Sequence, residues 1–261
     1  MDIYRGRKLC SVRDAGQLIE VFDDGKSRSL HFGTPARQSS MALDAPDRLQ
    51  LPYTQAMMAF LLFQPQPEAV LMVGLGGGSM AKFLLRHFPA LHMDVVERSA
   101  AVVELAHRHF LLPQDSRLRI HVDDGARYMA SGAKPQAYDA ILLDAYGADG
   151  TPPALLGEAF FADCRRRLRP GGVLAANLWG GRRAGFGQAM AALGHAFGED
   201  ALQLPVAGRG NIVALAQVPP ASTAAQLKLR SRELQQRLDL PFAVYRRALH
   251  RRRRLLRWLL D

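Results

Sequence analysis

Cysteine is scarce in this chain. Cys10 and Cys164 are the only two in 261 residues, far apart and without C-x-x-C partners. That excludes a disulfide framework and a cysteine zinc site, and a reducing cytoplasm is the expected location. Long apolar runs are missing too: none approaches the roughly 20 residues that cross a bilayer. Residues 1–12 are polar and basic and lack the apolar stretch of a secretory signal. His107, His109 and His121 do not have metal-ligand spacing, so no metal is expected. Internal repeats and low-complexity segments are absent. What remains, 48% hydrophobic and 22% charged, describes a folded globular chain, long enough for one large core with a small appendage.

Acidic residues are few where basic ones crowd. The formal net charge is +10, yet residues 222–261 hold eleven Lys/Arg against three Asp/Glu, leaving +2 for the rest. The basic character therefore belongs to a C-terminal tail and says little about a substrate. In that tail Phe242, Tyr245, Leu249, Leu256 and Leu259 recur at helical spacing, with Arg246, Arg247 and Arg251 to Arg254 on other faces. The favoured reading is a helix docked on the domain or on a neighbouring subunit. Contact with nucleic acid or an acidic membrane surface is the less favoured alternative.

Three parts are expected: an N-terminal β-hairpin domain over 1–50, a nucleoside-binding domain over 51–220, and a basic helical tail over 221–261. In the first, Gln17 to Phe22 alternates, Asp23-Asp24-Gly25-Lys26 turns, and Arg28 to Phe32 returns. A helix is expected over 53–63, behind Pro52. Strands at 69–73, 91–97, 117–122, 140–144 and 173–178 then alternate with helices at 79–88, 100–110, 158–168 and 186–197. Pro170-Gly171-Gly172 is expected to punctuate between the helix and strand it separates. Strands at 201–204 and 211–218 form a closing antiparallel hairpin. Such alternation predicts a doubly wound Rossmann-like α/β fold.

Four motifs fall at the carboxyl ends of these strands, where open α/β sheets bind ligands. Val73-Gly74-Leu75-Gly76-Gly77-Gly78-Ser79 joins a buried strand to a helix, so glycine backbone and free helix N–H groups can approach a ligand. Glu97 ends the next strand nineteen residues after Gly78, where a carboxylate accepts both ribose hydroxyls. NAD and S-adenosylmethionine both fit so far. Asp124-Gly125, at the end of the third strand, favours the second, because methyltransferase-like folds receive the adenine amino group there; a simple Asp-Gly turn is the structural alternative. Asp144, just past the fourth strand, can orient a nucleophile toward a sulfonium and stabilise the charge that forms on a nitrogen; its structural alternative is a cap.

Taken together, the hairpin, the Tyr53 helix, residues 70–79, Val96-Glu97, Asp124-Gly125, Asp144 and Pro170-Gly171-Gly172 resemble the spermidine synthase (polyamine aminopropyltransferase) family over roughly residues 15–218. The resemblance implies a Rossmann-like fold of the S-adenosylmethionine-dependent methyltransferase type, carrying an N-terminal β-domain through which the family usually forms dimers or tetramers, a homodimer being the expectation here. It implies that Gln17 and Tyr53 stand beside donor and acceptor, that Glu97 holds the ribose, that Asp124 holds the adenine, and that Asp144 is the catalytic aspartate. The co-substrate would be decarboxylated S-adenosylmethionine or S-adenosylmethionine, and the acceptor a small amine. Tyr146, Asp149 and Trp179 are the candidate acceptor-pocket residues.

The chain also departs from the family. Gly77 stands where the family's glycine loop carries the aspartate that grips the donor ammonium. Gly147 stands where a second catalytic-loop aspartate belongs, with Asp149 two residues beyond, and Pro205 to Gly208 lacks the expected tyrosine. These departures keep a methyltransferase, and a non-catalytic nucleoside-binding module, as alternatives.

Overall fold

A computed structural model describes residues 6–131, 135–147, 150–180, 185–198, 201–208 and 210–249. The chain opens with β1 (Arg7–Asp14), β2 (Gln17–Asp23), β3 (Ser27–His31) and β4 (Arg37–Ala42), joined in sequence order into one antiparallel sheet. The expected β2–β3 hairpin is thus the middle of a four-stranded sheet. Its outer strands escaped the sequence reading because β1 (Arg-Lys-Leu-Cys-Ser-Val-Arg-Asp) has charged ends and little apolar alternation, and β4 (Arg-Gln-Ser-Ser-Met-Ala) is largely polar.

Helix α1 (Pro52–Met57) follows, shorter than expected, and continues as a 3-10 turn over Met58–Leu62. The carbonyls of Leu62 and Phe63 accept from the Arg230 guanidinium at 3.0 and 2.9 Å, so a distant side chain satisfies a helix end that further turns would otherwise have to satisfy. Next come β5 (Ala69–Val73), α2 (Ser79–His87), β6 (His92–Glu97), α3 (Ala100–Phe110), β7 (Leu118–Val122), α4 (Gly125–Ala130) and β8 (Tyr138–Leu143). The chain continues through α5 (Glu158–Arg167), β9 (Leu168–Trp179), α6 (Phe186–Phe197), β10 (Leu202–Pro205), β11 (Asn211–Gln217) and α7 (Ala224–Leu238). Residues 242–249 are helical as well; Arg251 to Arg254, Leu256 and Leu259 lie outside the described residues.

The second sheet has seven strands in the order β10-β11-β9-β8-β5-β6-β7. β5, β6, β7, β8 and β9 run parallel to one another, and β11 pairs antiparallel with both β9 and β10. The apolar runs of β5 and β8 are explained by burial on both faces. Val70, Met72, Ala140 and Leu142 enter one core with α1 and α2, while Leu71, Val73, Ile141 and Leu143 enter the other with α5 and α6. The fold is Rossmann-like, as the strand–helix alternation predicts.

One punctuation mark misleads. Pro170-Gly171-Gly172 does not separate helix from strand; it lies inside β9, which already pairs through Leu168 with Tyr138 before the register slips. The motif makes a bulge there, and the Gly171 carbonyl takes hydrogen bonds from Gln64 and Gln217 at 2.8 and 2.9 Å. Helix α4, six residues long, was also missed, because Asp-Gly reads as a turn. The N-terminal sheet docks on α3: Ile19, Val21, Leu30 and Met41 pack with Val102, Leu105 and Phe110. That docking roofs the carboxyl edge of the seven-stranded sheet.

Candidate functional site

Between roof and edge lies a cleft holding about 1160 Å³ of open space. Gln17, Tyr53, Gly74, Gly76, Glu97, Asp124, Gly125, Asp144 and Tyr146 all line it, so segments from β2 to the loop beyond β8 converge as the sequence led one to expect. Gly77 and Gly78 are not among its walls. Gly78 caps α2, and a Cβ on Gly77 would meet the Phe110 ring and the Ser39 hydroxyl, each 2.8 Å away. Trp179 is not a wall either. It ends β9, is exposed, and its ring lies against Gly210. Asp149 lies outside the described residues.

Glu97 binds the loop to the roofed edge. Its Oε2 accepts from the Leu75 N–H and its Oε1 from the Ser99 N–H, both at 2.9 Å. Burial pushes its pKa up, and backbone N–H groups pull the other way. The Arg98 and Gly76 N–H groups also face this carboxylate. Asp124 caps α4, with Oδ1 accepting from the Arg127 N–H at 3.0 Å. In place of the simple Asp-Gly turn of the structural alternative, Asp124 caps a helix and also stands on the cleft wall.

At the other end Asp144 is held by strands. Leu143 pairs with Ala176 across β8 and β9, which brings Asp144 beside Asn177, and the Asn177 amide donates to Asp144 Oδ1 at 2.9 Å. The Tyr53 hydroxyl donates to the Gln38 carbonyl at 3.2 Å and also faces the Asp144 carboxyl. Burial raises the Asp144 pKa to about 6, against the lowering effect of Asn177 and Tyr53. Tyr53 and Tyr146 are pushed above the ordinary phenol range, mainly by burial and secondarily by the Asp144 charge. Both remain phenols. The pair of roles this allows is a carboxylate that is anionic at neutral pH and a neutral hydroxyl that orients it.

Several cleft residues were missed from sequence. Asp14 accepts from the Ser99 hydroxyl at 2.5 Å and the Ala101 N–H at 3.4 Å, pinning the β1–β2 turn to the start of α3; nothing in an Asp-Ala-Gly turn announces that. Asn177 had a legible signal, since it is a lone amide in the apolar run of β9 and is only 2% exposed. Among the described residues no group of three or more His, Cys, Asp or Glu converges as a metal site, and no helix is long and apolar enough to cross a membrane.

Residues 50–177 match the family described as the spermine/spermidine synthase domain. A polyamine aminopropyltransferase of Chromobacterium violaceum is 36% identical over 92% of this chain and 92% of its own length. Among solved structures, a probable spermidine synthase from Corynebacterium glutamicum covers 87% of this chain and 86% of its own at a TM-score of 0.72 and 22% identity. Human methyltransferase-like protein 13, solved in complex with SAH, covers 74% of this chain and 94% of its own at a TM-score of 0.67 and 29% identity.

Proposed function

This chain belongs to the polyamine aminopropyltransferase (spermine/spermidine synthase) family, and from that premise we propose that it moves an aminopropyl-type group from decarboxylated S-adenosylmethionine to a small amine. The donor's ribose hydroxyls would rest on Glu97 and its adenine near Asp124 and Gly125, with Gly74 and Gly76 beneath and Gln17 above. The amine nitrogen attacks the carbon next to the sulfonium, the C–S bond breaks, and its electron pair leaves with neutral methylthioadenosine. The nitrogen, now positively charged, sheds a proton.

Asp144 and Tyr53 are the catalytic pair in this reading. The observation that carries it is Asp144 held by the Asn177 amide and faced by the Tyr53 hydroxyl, in the same cleft as Glu97. With a pKa near 6 Asp144 is a weak base for an amine of pKa about 10, so orientation and stabilisation of the forming ammonium matter more than proton abstraction. Tyr146 would border the acceptor. Asp149 remains a candidate for the acceptor amine, whereas Trp179 is dropped from that role. The unpaired Cys10 and Cys164 favour the cytoplasm, and a homodimer through the N-terminal sheet is the expected assembly. The N-terminal sheet, the Rossmann-like body and the C-terminal helices are proposed as its three functional parts.

A second reading has one observation of its own. Gly77 offers no acid to a donor ammonium, which favours intact S-adenosylmethionine and methyl transfer. The test incubates the protein with 1,4-diaminobutane and either donor. Methylthioadenosine released only with the decarboxylated donor and diamine together supports aminopropyl transfer. S-adenosylhomocysteine released from the intact donor supports the second reading. Calorimetry with methylthioadenosine on Glu97→Ala is expected to give about ten- to a hundredfold weaker binding, and undiminished binding would remove Glu97 from the site.

A further inference from the structure

The Asp144 carboxylate receives one of its hydrogen bonds from an amide, and an amide has two ends. Asn177 can present either N–H or C=O to Asp144, and a half-turn about its last bond interchanges them. A C=O facing the carboxylate would repel it. Something must therefore hold the amide. Asn211, from the neighbouring strand β11, donates its Nδ2 to Asn177 Oδ1 at 3.0 Å. Were Asn177 turned over, its N–H would face that N–H, and both contacts would be lost at once.

Asn211 is itself held. Its amide also faces the Tyr146 hydroxyl, which donates to the Asn177 backbone carbonyl at 2.9 Å. The Tyr146 oxygen, its own proton spent on that carbonyl, presents a lone pair to the N–H end of the Asn211 amide, which favours the same orientation. The two strands keep the relay in register: Val213 pairs with Asn177 and Asn211 with Trp179, so Asn211 lies diagonal to Asn177 on the antiparallel ladder, within side-chain reach.

We propose that Asn211 is a positioning residue for the reacting centre, locking the Asn177 amide in the one orientation that gives an N–H to Asp144. This rests on Asp144 being the carboxylate that meets the amine. Asn211 touches neither donor nor acceptor; it acts through Asn177. The groups facing Asp144 are Tyr53 from α1, Tyr146 from the loop beyond β8, and Asn177 from β9. The other charged side chains of the cleft among the described residues are Asp14, Glu97, Arg98 and Asp124. Asn211→Leu keeps the volume but removes the donor, leaving Asn177 free to turn.

The test reads the Asp144 carboxyl by carbon NMR of aspartate-labelled protein, with its signal assigned by its absence in Asp144→Asn. In the unmodified protein its titration midpoint is expected near 6. In Asn211→Leu it should rise by about one unit, as for a carboxylate that has lost a hydrogen bond to its charged form. Asn211→Ser, which retains a hydroxyl donor, should recover part of the shift. The acid limb of kcat/KM for methylthioadenosine release should move by the same amount. A lower melting temperature with an unmoved Asp144 midpoint would make Asn211 merely structural and overturn the proposal. The NMR titration needs no turnover, so an inactive unmodified protein would count against aminopropyl transfer while leaving the relay tested.

Discussion

Gly74 has no side chain because the backbone of Asp144 occupies the space. A Cβ at Gly74 would overlap the Asp144 carbonyl oxygen, and the two chain segments are tied by the Asp144 N–H donating to the Val73 carbonyl at 2.9 Å. The first glycine of the loop is therefore set by the placing of the aspartate, before any ligand is considered. Gly76 differs: its φ is +54°, but the nearest atom to its missing Cβ is Ser39 Cβ at 3.6 Å.

The contrast predicts two outcomes. Gly76→Ala meets only the left-handed penalty of about 1–2 kcal/mol, a fall in Tm of about 2–8 °C for a chain of this size. Gly74→Ala adds a backbone overlap that must move Asp144, so its Tm should fall by well over twice that and turnover should be lost. Thermal melts of the two purified variants decide it. Equal melts with equal turnover would deny the close approach.

Asp144 should cost stability at neutral pH. Its pKa stands at about 6 in the fold, against about 4 for an unfolded aspartate. Between those values the folded chain holds more protons than the unfolded one, so stability falls as pH rises through that window and stays low above it. Asp144→Asn, nearly isosteric and uncharged, is expected to raise stability by about 1–3 kcal/mol at pH 7.5, with the gain gone by pH 4. Turnover should drop about a hundredfold or more. Denaturant melts at the two pH values, beside a rate measurement, check both halves. A variant destabilised at pH 7.5 would mark Asp144 as a structural residue.

The strands and the converging carboxylates were legible because each rests on a local rule. Continuous apolar runs such as Val70 to Val73 announce strands covered on both sides, and Glu97 is fixed by its distance from the glycine loop. What stayed hidden depends on partners far along the chain. The 3-10 turn after Met57 reflects Arg230 capping from 168 residues away. Pro170-Gly171-Gly172 looks like a boundary, yet pairing of Leu168 with Tyr138 carries the strand through it. The Asn211–Asn177 contact needs strand register, which no spacing in the sequence discloses. The neighbour of Trp179 was hidden for the same reason: its ring lies against Gly210, which strand pairing brings back from far along the chain.

Lys82 offers a test away from the site. It is 5% exposed, and its ammonium donates to the Phe110 carbonyl at 2.5 Å and to the Met41 sulfur at 3.1 Å, where α2 meets α3 and the N-terminal sheet. Burial lowers its pKa to about 8, with Asp47 opposing. Below pH 8 the folded chain bears a buried charge. Between pH 8 and about 10.4 the unfolded chain holds the extra proton, so stability should rise with pH across that window. Lys82→Met removes the charge and orphans one carbonyl, worth about 1 kcal/mol. A net gain of about 1–2 kcal/mol at pH 7 is expected, shrinking toward pH 10. Loss of stability at pH 7 would mean that the contacts to Phe110 and Met41 outweigh the buried charge.

The donor preference follows from what fills the space beside Gly77. An aspartate there would grip a donor ammonium, and Gly77→Asp suggests itself as the way to restore one. The packing argues against that variant: its Cβ would lie 2.8 Å from both the Phe110 ring and the Ser39 hydroxyl, and Phe110 is fully buried in the core that docks the N-terminal sheet. Gly77→Asp is therefore expected to melt several degrees lower through lost packing, so the unmodified protein is the better subject. Without the acid, decarboxylated S-adenosylmethionine forgoes a charge-assisted contact of roughly 1.5–3 kcal/mol, and intact S-adenosylmethionine escapes a like-charge repulsion. The two dissociation constants, titrated calorimetrically at one salt concentration, should lie within about tenfold of each other. A thousandfold preference for the decarboxylated donor would show that another carboxylate holds the ammonium. Asp14, on the cleft wall with its Oδ2 on the Ser99 hydroxyl, would be the first to replace by Asn.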